Sequence, residues 1–286
     1  MRHQVWALSL ILSACAGVQP GASDEPTLSE AIEAPGARVL WVGAHPDDES
    51  LVGSVLARAC IGLKTPCALV VMNHGAGGEC LRKEGCQPSL SQVRGHEMAL
   101  VARGLGAELH HFDYFNAPLP VSSFPARHEI GAKWMQQGDP AAQIEQVILR
   151  FRPTVMLTFD PNNGFTGHPE HQLASRFAMQ AARRASKRGH TVQHVFHGLN
   201  RFWMYRMFGA GDPGIPTEAF DTHQACGRTG LCLDTALSLT KAHRSQDGDM
   251  GRVRSLRPQL GTLYVRRIDV FDEQDAPEPL QPVSQD

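Results

Sequence analysis

From residue 38 onward, short apolar runs alternate with longer amphipathic stretches, and this alternation narrows the possible folds more than any other feature of the chain. A short run rich in Val, Leu and Ile suits a strand buried on both faces, and the stretch between two such runs suits a helix lying on one face. Repeated, the pattern is that of βαβ units around a parallel sheet. Strands are expected over 38–44 (RVLWVGA), 68–72, 108–112 and 154–159, with 194–197 as a candidate fifth. Helices are expected over 51–61, from near Gln92 to Leu105, from Asp139-Pro140 to Phe151, and from about Glu170 to Lys187. Asp139 caps the third of these with Pro140 in its first turn, and Ile144, Val147, Ile148 and Phe151 form its core-facing stripe. The expected fold class is α/β: a Rossmann-like three-layer αβα domain with a mostly parallel sheet. A chain of 286 residues, 42% hydrophobic and 20% charged, supports one such domain over 37–270. The net charge of −2 leaves no basic stripe for nucleic acid, so a small molecule or a glycan is the expected partner.

The amino terminus reads as an export signal. A short cationic head (MRHQ) precedes an apolar run, Val5 to Leu12, that is too short to span a bilayer as a helix. It ends in Leu12-Ser13-Ala14-Cys15, similar to a bacterial lipobox in which the cysteine carries the lipid; the alternative is ordinary cleavage beside an incidental cysteine. The expected organisation is therefore a signal peptide over 1–15, a flexible tether over 16–36 and a disordered tail over 271–286, with a lipid-anchored location in the cell envelope. Apart from Cys15, six cysteines fall into three close pairs, Cys60/Cys67, Cys80/Cys86 and Cys226/Cys232. Short loops close with the least entropy loss, so these pairs are the expected disulfides of an exported protein. A thiolate metal cluster is the rival, but no pair has the C-x-x-C spacing of a zinc knuckle.

Two loops carry the chemistry. His45-Pro46-Asp47-Asp48-Glu49 follows strand one, and Gly167-His168-Pro169-Glu170-His171 follows strand four. In a doubly wound sheet of order 3-2-1-4-5, strands one and four are neighbours, and their carboxyl ends flank the crevice where ligands bind. Adjacent carboxylates repel one another unless a cation neutralises them. Imidazole and carboxylate together suit a zinc ion that keeps positions open for water and substrate.

Here the sequence resembles the PIG-L, or LmbE-like, family of zinc-dependent N-acetylglucosaminyl deacetylases, over about residues 38 to 265. The resemblance rests on AHPDDE at 44–49; on Gly78-Glu79, Arg94-x-x-Glu97 and Leu105-Gly106; on Asp160-Pro161 and Thr166-Gly167-His168-Pro169-Glu170-His171; and on Lys241-Ala242-His243-Arg244-Ser245-Gln246. It implies one zinc per chain, or another divalent cation, held by His45, Asp48 and His171, with Asp47 as general base and a cationic His168 stabilising the transition state. It further implies that Glu170 orients His168 or keeps it protonated. Glu49 is either a partner of the site or a helix-start acid, and Arg94, Asp160, Thr166 and His243 contact the substrate or support the ligands. Two positions depart from the family's usual pattern: Glu170 stands where Asp is common, and Thr166 where some members carry a mobile tyrosine.

The remaining features have plainer readings. Gly75-Ala76-Gly77-Gly78 lacks the strand–GxGxxG–helix context of a phosphate loop and reads as a flexible loop at the site. His110-His111 are packing or surface residues as readily as ligands, and Trp41, Trp134 and Trp203 could stack on a sugar but more commonly pack in a core. The function expected is removal of acetyl from an N-acetylated amino sugar or glycoconjugate of the cell envelope. The alternatives are a deacylase of a non-sugar amide and a catalytically silent glycan-binding lipoprotein.

Overall fold

The computed structural model of the protein describes residues 25–201, 212–227 and 230–272. Seven strands form one sheet in the order β3-β2-β1-β4-β5-β7-β6. They are β1 (Val39–Gly43), β2 (Cys67–Val71), β3 (Glu108–His111), β4 (Val155–Phe159), β5 (His194–Leu199), β6 (Glu218–Asp221) and β7 (Thr262–Ile268). The first five are parallel, in the order expected, whereas β7 runs antiparallel to β5 and β6 antiparallel to β7.

Every residue of β1, β2 and β4 is buried, because helices cover both faces. Leu40, Val42, Ala68, Val70 and Met156 point to one side, beneath α4 (Arg127–Gln137), α5 (Pro140–Phe151) and the long α7 (Pro169–Lys187), which the single turn α6 (Gly164–Gly167) precedes. Val39, Trp41, Leu69, Val71 and Leu157 point to the other, beneath α1 (Leu28–Glu33), α2 (Gly53–Leu56) and α3 (Leu90–Leu105). This is the three-layer arrangement that the alternating pattern required. The helix signals read from sequence act as expected: Asp139 accepts from the Ala142 amide at 3.1 Å, and Gly106 ends α3 at φ 69°.

Several expectations change. The segment after β1 is not one helix but a 3-10 turn over Asp48–Val52, the single α-turn α2, and a π-helical turn over Ala57–Gly62. Asp48 and Glu49 are drawn into the site at its start, and the Cys60–Cys67 disulfide ties its far end to β2. The region after β5, expected to be less regular, holds β6, β7, α8 (Cys232–Leu239) and α9 (Asp247–Ser255). Helix α4 escaped notice because Ala126 at its N-cap position offers no side-chain acceptor, although Glu129 accepts from the Ala126 amide at 2.7 Å and Ile130 and Trp134 supply a buried face. The tether is shorter than expected: Thr27 and Glu30 form a capping box, and Leu28, Ala31 and Ile32 join the core. The signal segment with Cys15, residues 16–24 of the tether, Trp203 and residues 273–286 lie outside the described residues. Among the described residues, no helix is long and apolar enough to cross a membrane.

The cysteines also divide differently. Cys60–Cys67 and Cys80–Cys86 are disulfides, with Cα separations of 5.8 and 6.0 Å. Cys226 and Cys232, expected as a third pair, are buried free thiols, and the Cys226 thiol donates to the Ala57 carbonyl at 3.0 Å. They sit with Ala57 and Ala236 in a small apolar cluster, where a neutral thiol packs without cost. Alkylation of the denatured, unreduced protein should therefore label Cys226 and Cys232 and leave Cys60, Cys67, Cys80 and Cys86 blocked until reduction. Protection of all six before reduction would contradict this assignment.

Candidate metal centre

Because β1, β2, β4 and β5 run parallel, their carboxyl ends deliver His45, Asn73, Asp160 and Asn200 to one edge of the sheet. The two H-P-acid loops meet there. His45 Nδ1 lies 3.1 Å from His171 Nε2, Asp48 Oδ1 lies 3.0 Å from His171 Nε2, and His45 Nδ1 lies 3.5 Å from Asp48 Oδ1. All three side chains are buried. Two imidazole nitrogens and one carboxylate oxygen at such spacings suit a single divalent cation with metal–ligand bonds near 2 Å.

The ring tautomers needed for ligation are already set. His45 Nε2 donates to Glu170 Oε2 at 2.8 Å, leaving the Nδ1 lone pair facing the trio. His171 Nδ1 donates to the Gly164 carbonyl at 2.9 Å and lies 3.3 Å from Thr166 Oγ1, leaving Nε2 to face the trio. Asp48 Oδ2 accepts from the Ala44 and His45 amides at 2.8 and 2.9 Å, which turns Oδ1 inward. Ligating histidines anchored through their second nitrogen are the usual support of a metal site. Burial works against a charged imidazole, yet Asp48 and Glu170 draw His45 up to about 10, so a divalent cation at the trio would take the place of the Nδ1 proton.

His168 stands beside this trio. Its ring stacks on His171 with centroids 4.8 Å apart, and one ligand atom from each of His45, His168 and His171 lies within 4.8 Å of the others. The shorter spacings favour Asp48 over His168 as the third ligand. His168 caps α7, its Nδ1 accepting from the Glu170 amide at 3.2 Å, so the ring proton belongs on Nε2. Burial holds its pKa well below the usual imidazole value. The expected cationic His168 is therefore corrected to a neutral imidazole that donates through Nε2.

Glu170 is corrected as well. Its carboxylate does not serve His168; its Oε2 takes His45 Nε2, Asn73 Nδ2 at 2.8 Å and Asn116 Nδ2 at 3.0 Å, and its Oε1 takes the Ala117 amide at 2.7 Å. Asn73, Asn116 and Ala117 were missed in the sequence. Asn73 could have been found from its place just past the end of β2; nothing marks the other two.

Asp47 lies between two ligands without joining them. Its φ of 101° is a conformation that non-glycine residues rarely adopt, costing on the order of 1–3 kcal/mol. Arg94 holds it there, donating to the Pro46 carbonyl at 2.6 Å and pairing with Asp47 Oδ2 at 3.0 Å, while the Asp47 amide donates to Glu49 Oε2 at 3.0 Å. Burial pushes the Asp47 carboxyl up to about 6 although Arg94 pulls it down, a range suited to exchanging protons near neutrality. The glycine-rich loop is shaped around this arginine: a Cβ at Gly75 would collide with the guanidinium, and one at Gly78 would come within 2.8 Å of it. Glu49 is a partner of the site, pairing with the buried His243 at 2.8 Å as well as with the Asp47 amide.

The other motif residues brace the site from outside. Glu97 accepts from the Ser245 amide at 2.9 Å and its hydroxyl at 2.6 Å, fastening the 241–246 segment to α3. Asp160 accepts from the Asn162 and Asn163 amides at 2.9 and 2.7 Å and pairs with Arg266. His111 donates to the Asn73 carbonyl at 2.9 Å and His110 meets Arg150, so neither is a ligand. Trp41 and Trp134 lie fully in the core, closed to any sugar.

Residues 40–182, half of the chain, match the PIG-L family, described as GlcNAc-PI de-N-acetylase. The chain belongs to this family. Among PIG-L relatives it is 34% identical over 187 residues to the 1D-myo-inositol 2-acetamido-2-deoxy-alpha-D-glucopyranoside deacetylase of Streptomyces griseus, covering 57% of this chain and 55% of that protein. The chain spans about half the length of the curated relatives it matches first. The fold is similar to that of N,N'-diacetylchitobiose deacetylase from Pyrococcus horikoshii, with a TM-score of 0.56 at 15% identity over 85% of this chain and 88% of that one. It is equally similar to 4-carboxy-2-hydroxymuconate hydratase from Pseudomonas putida, with a TM-score of 0.56 at 15% identity over 82% and 96%. A hydratase on this fold means that fold alone does not identify the reaction.

Because Glu170 fixes the His45 ring, Glu170→Gln should weaken zinc binding by roughly 10- to 100-fold, as read by competition with a chelator. Unchanged affinity would remove Glu170 from the support of the metal site.

Proposed function

We propose that the chain is a metal-dependent hydrolase that removes acetyl from an N-acetylated amino sugar or glycoconjugate, with zinc as the metal. The observation that carries this reading is the division of labour at 45–48: His45 and Asp48 face the ligand trio, while the intervening Asp47 is held out of it by Arg94. A pure binding site has no use for a half-buried, strained carboxylate beside its ligands. The activity for which the Streptomyces griseus relative is named, on a 2-acetamido-2-deoxyglucopyranoside, supports the choice of bond and sugar.

His45, Asp48 and His171 would hold the ion. Bound there, a divalent cation lowers the pKa of water and polarises the amide carbonyl. Asp47 accepts a proton from the attacking water and returns it to the amine nitrogen as the carbon–nitrogen bond breaks, giving acetate and a free amino sugar. His168 donates through Nε2 to the oxygen on which negative charge develops. Its neutrality does not prevent this, because a donor aimed at a developing charge in a water-poor pocket is effective without a formal charge of its own. Arg94 keeps Asp47 aimed and, with Glu49 and His243, keeps the strained turn from relaxing.

The setting we propose is the cell envelope, with a lipid anchor at Cys15, on the strength of the N-terminal sequence. Residues 25–36 then join the anchor to the domain not as free chain but partly as α1, docked through the Leu28 amide to Glu218 at 2.7 Å.

Asp47→Ala should keep its metal and lose a factor of about 10² or more in acetate release from N-acetylglucosamine-containing substrates. Loss of metal together with activity would make Asp47 a ligand, and an unchanged rate would exclude it as the base.

A further inference from the structure

Asp160 is almost wholly buried and begins the loop that ends in the ligand-bearing helix α7. Its Oδ1 accepts the amides of Asn162 and Asn163, and its own carbonyl accepts the Gly164 amide at 2.7 Å. The Gly164 carbonyl in turn receives the Nδ1 proton of His171 at 2.9 Å. The geometry of Asp160 thus reaches a metal ligand through one turn of backbone. That turn has no slack: Gly164 has φ 63°, the following Phe165 also has φ 63°, and a Cβ at Gly164 would come within 2.8 Å of Gln172.

Asp160 Oδ2 is held from the far side of the sheet. Arg266 on β7 pairs with it, and the nearby His197 on β5 stands with Nδ1 at 3.9 Å. His197 and Arg266 are direct partners in the β5–β7 register. Burial pushes the His197 imidazole down to about 3, so this ring is neutral and the arginine is the cation beside the carboxylate. A buried carboxylate that loses its cation either takes a proton or turns toward other donors. Either change would disturb the hydrogen bonds that shape the 160–164 turn.

We infer that Arg266, on an antiparallel strand outside the family's matched segment, is a positioning residue for the metal ligand His171, acting through Asp160 and the Gly164 carbonyl. The inference rests on the metal-dependent reading of the site. Arginine suits the task because its planar fork stays charged and directional at a half-buried position, whereas an ammonium does not hold a carboxylate's orientation as firmly. The antiparallel pair β6–β7, which the parallel core does not require, thereby acquires a role at the metal centre.

The test is zinc affinity of the full chain, measured by competition with a chromophoric chelator, for wild type, Arg266→Met, Arg266→Lys, Asp160→Asn and the Arg266→Met/Asp160→Asn double variant. Arg266→Met should weaken binding about tenfold, the lower end for residues that support ligands, and Arg266→Lys should restore part of the loss. The double variant should lose less than the product of the single losses, because both act through one pair. Thermal unfolding is followed in parallel. A lowered melting temperature with zinc affinity within twofold of wild type would overturn the inference, as would losses that multiply. Should Arg266→Met fail to fold, Arg266→Lys against Asp160→Asn carries the same comparison. A wild-type chain that takes up no divalent metal would overturn the metal-dependent reading itself, an outcome distinct from equal affinities.

Discussion

The site depends on one buried carboxylate. Glu170 is fully enclosed, and its two oxygens take protons from the His45 ring, the Asn73 and Asn116 amides and the Ala117 backbone. A buried charge is tolerated only where donors replace the water it has lost. Those donors come from three loops, after β1, β2 and β3, so satisfying Glu170 fixes all three relative to α7. The tautomer of His45 follows from this. So does the placement of the 112–126 loop, whose Phe115 carbonyl also receives the Trp134 indole at 2.6 Å and whose Phe124 ring meets His168 at 4.9 Å. The glutamate arm reaches past the nearby His168 to His45.

A second economy appears at 45–48. In the proposed function these four consecutive residues provide a ligand, a rigid turn, a proton acceptor and a second ligand, and a regular helix could not aim all of them. The backbone leaves the allowed region at Asp47 to do so, and Arg94, seated among glycines that could not be larger, stabilises the departure. Backbone strain at a site is maintained only where the surroundings over-determine it. The surroundings here are Arg94, Glu49 and His243, drawn from α3, the 3-10 turn and the 240–246 segment.

The parallel core was legible because burial on both faces of β1, β2 and β4 leaves solid apolar runs, with cap and stop residues such as Asp139 and Gly106 marking the helices between strands. The crevice was legible because topology alone brings the ends of β1 and β4 together. What escaped notice had weaker imprints. Strand β6 is only half buried, and β7 alternates between buried and partly exposed residues, so neither forms a solid apolar run. Helix α4 starts at Ala126, which lacks the side-chain oxygen that marks a cap in sequence. Partner choice within the site was beyond reach for a different reason: whether Glu170 meets His168 or His45 depends on side-chain direction, which spacing does not encode. The same holds for Cys226 and Cys232, where closeness along the chain suggested a bond and packing left two thiols.

The central claim is that His45, Asp48 and His171, rather than the three histidines, surround the metal. X-ray absorption at the zinc edge of the loaded protein, wild type against Asp48→Ala and His168→Ala, tests this most directly. The account requires two imidazole shells plus a carboxylate oxygen in wild type, the same spectrum in His168→Ala, and loss of the oxygen or of the metal in Asp48→Ala. Three imidazoles in wild type, falling to two in His168→Ala, would contradict it.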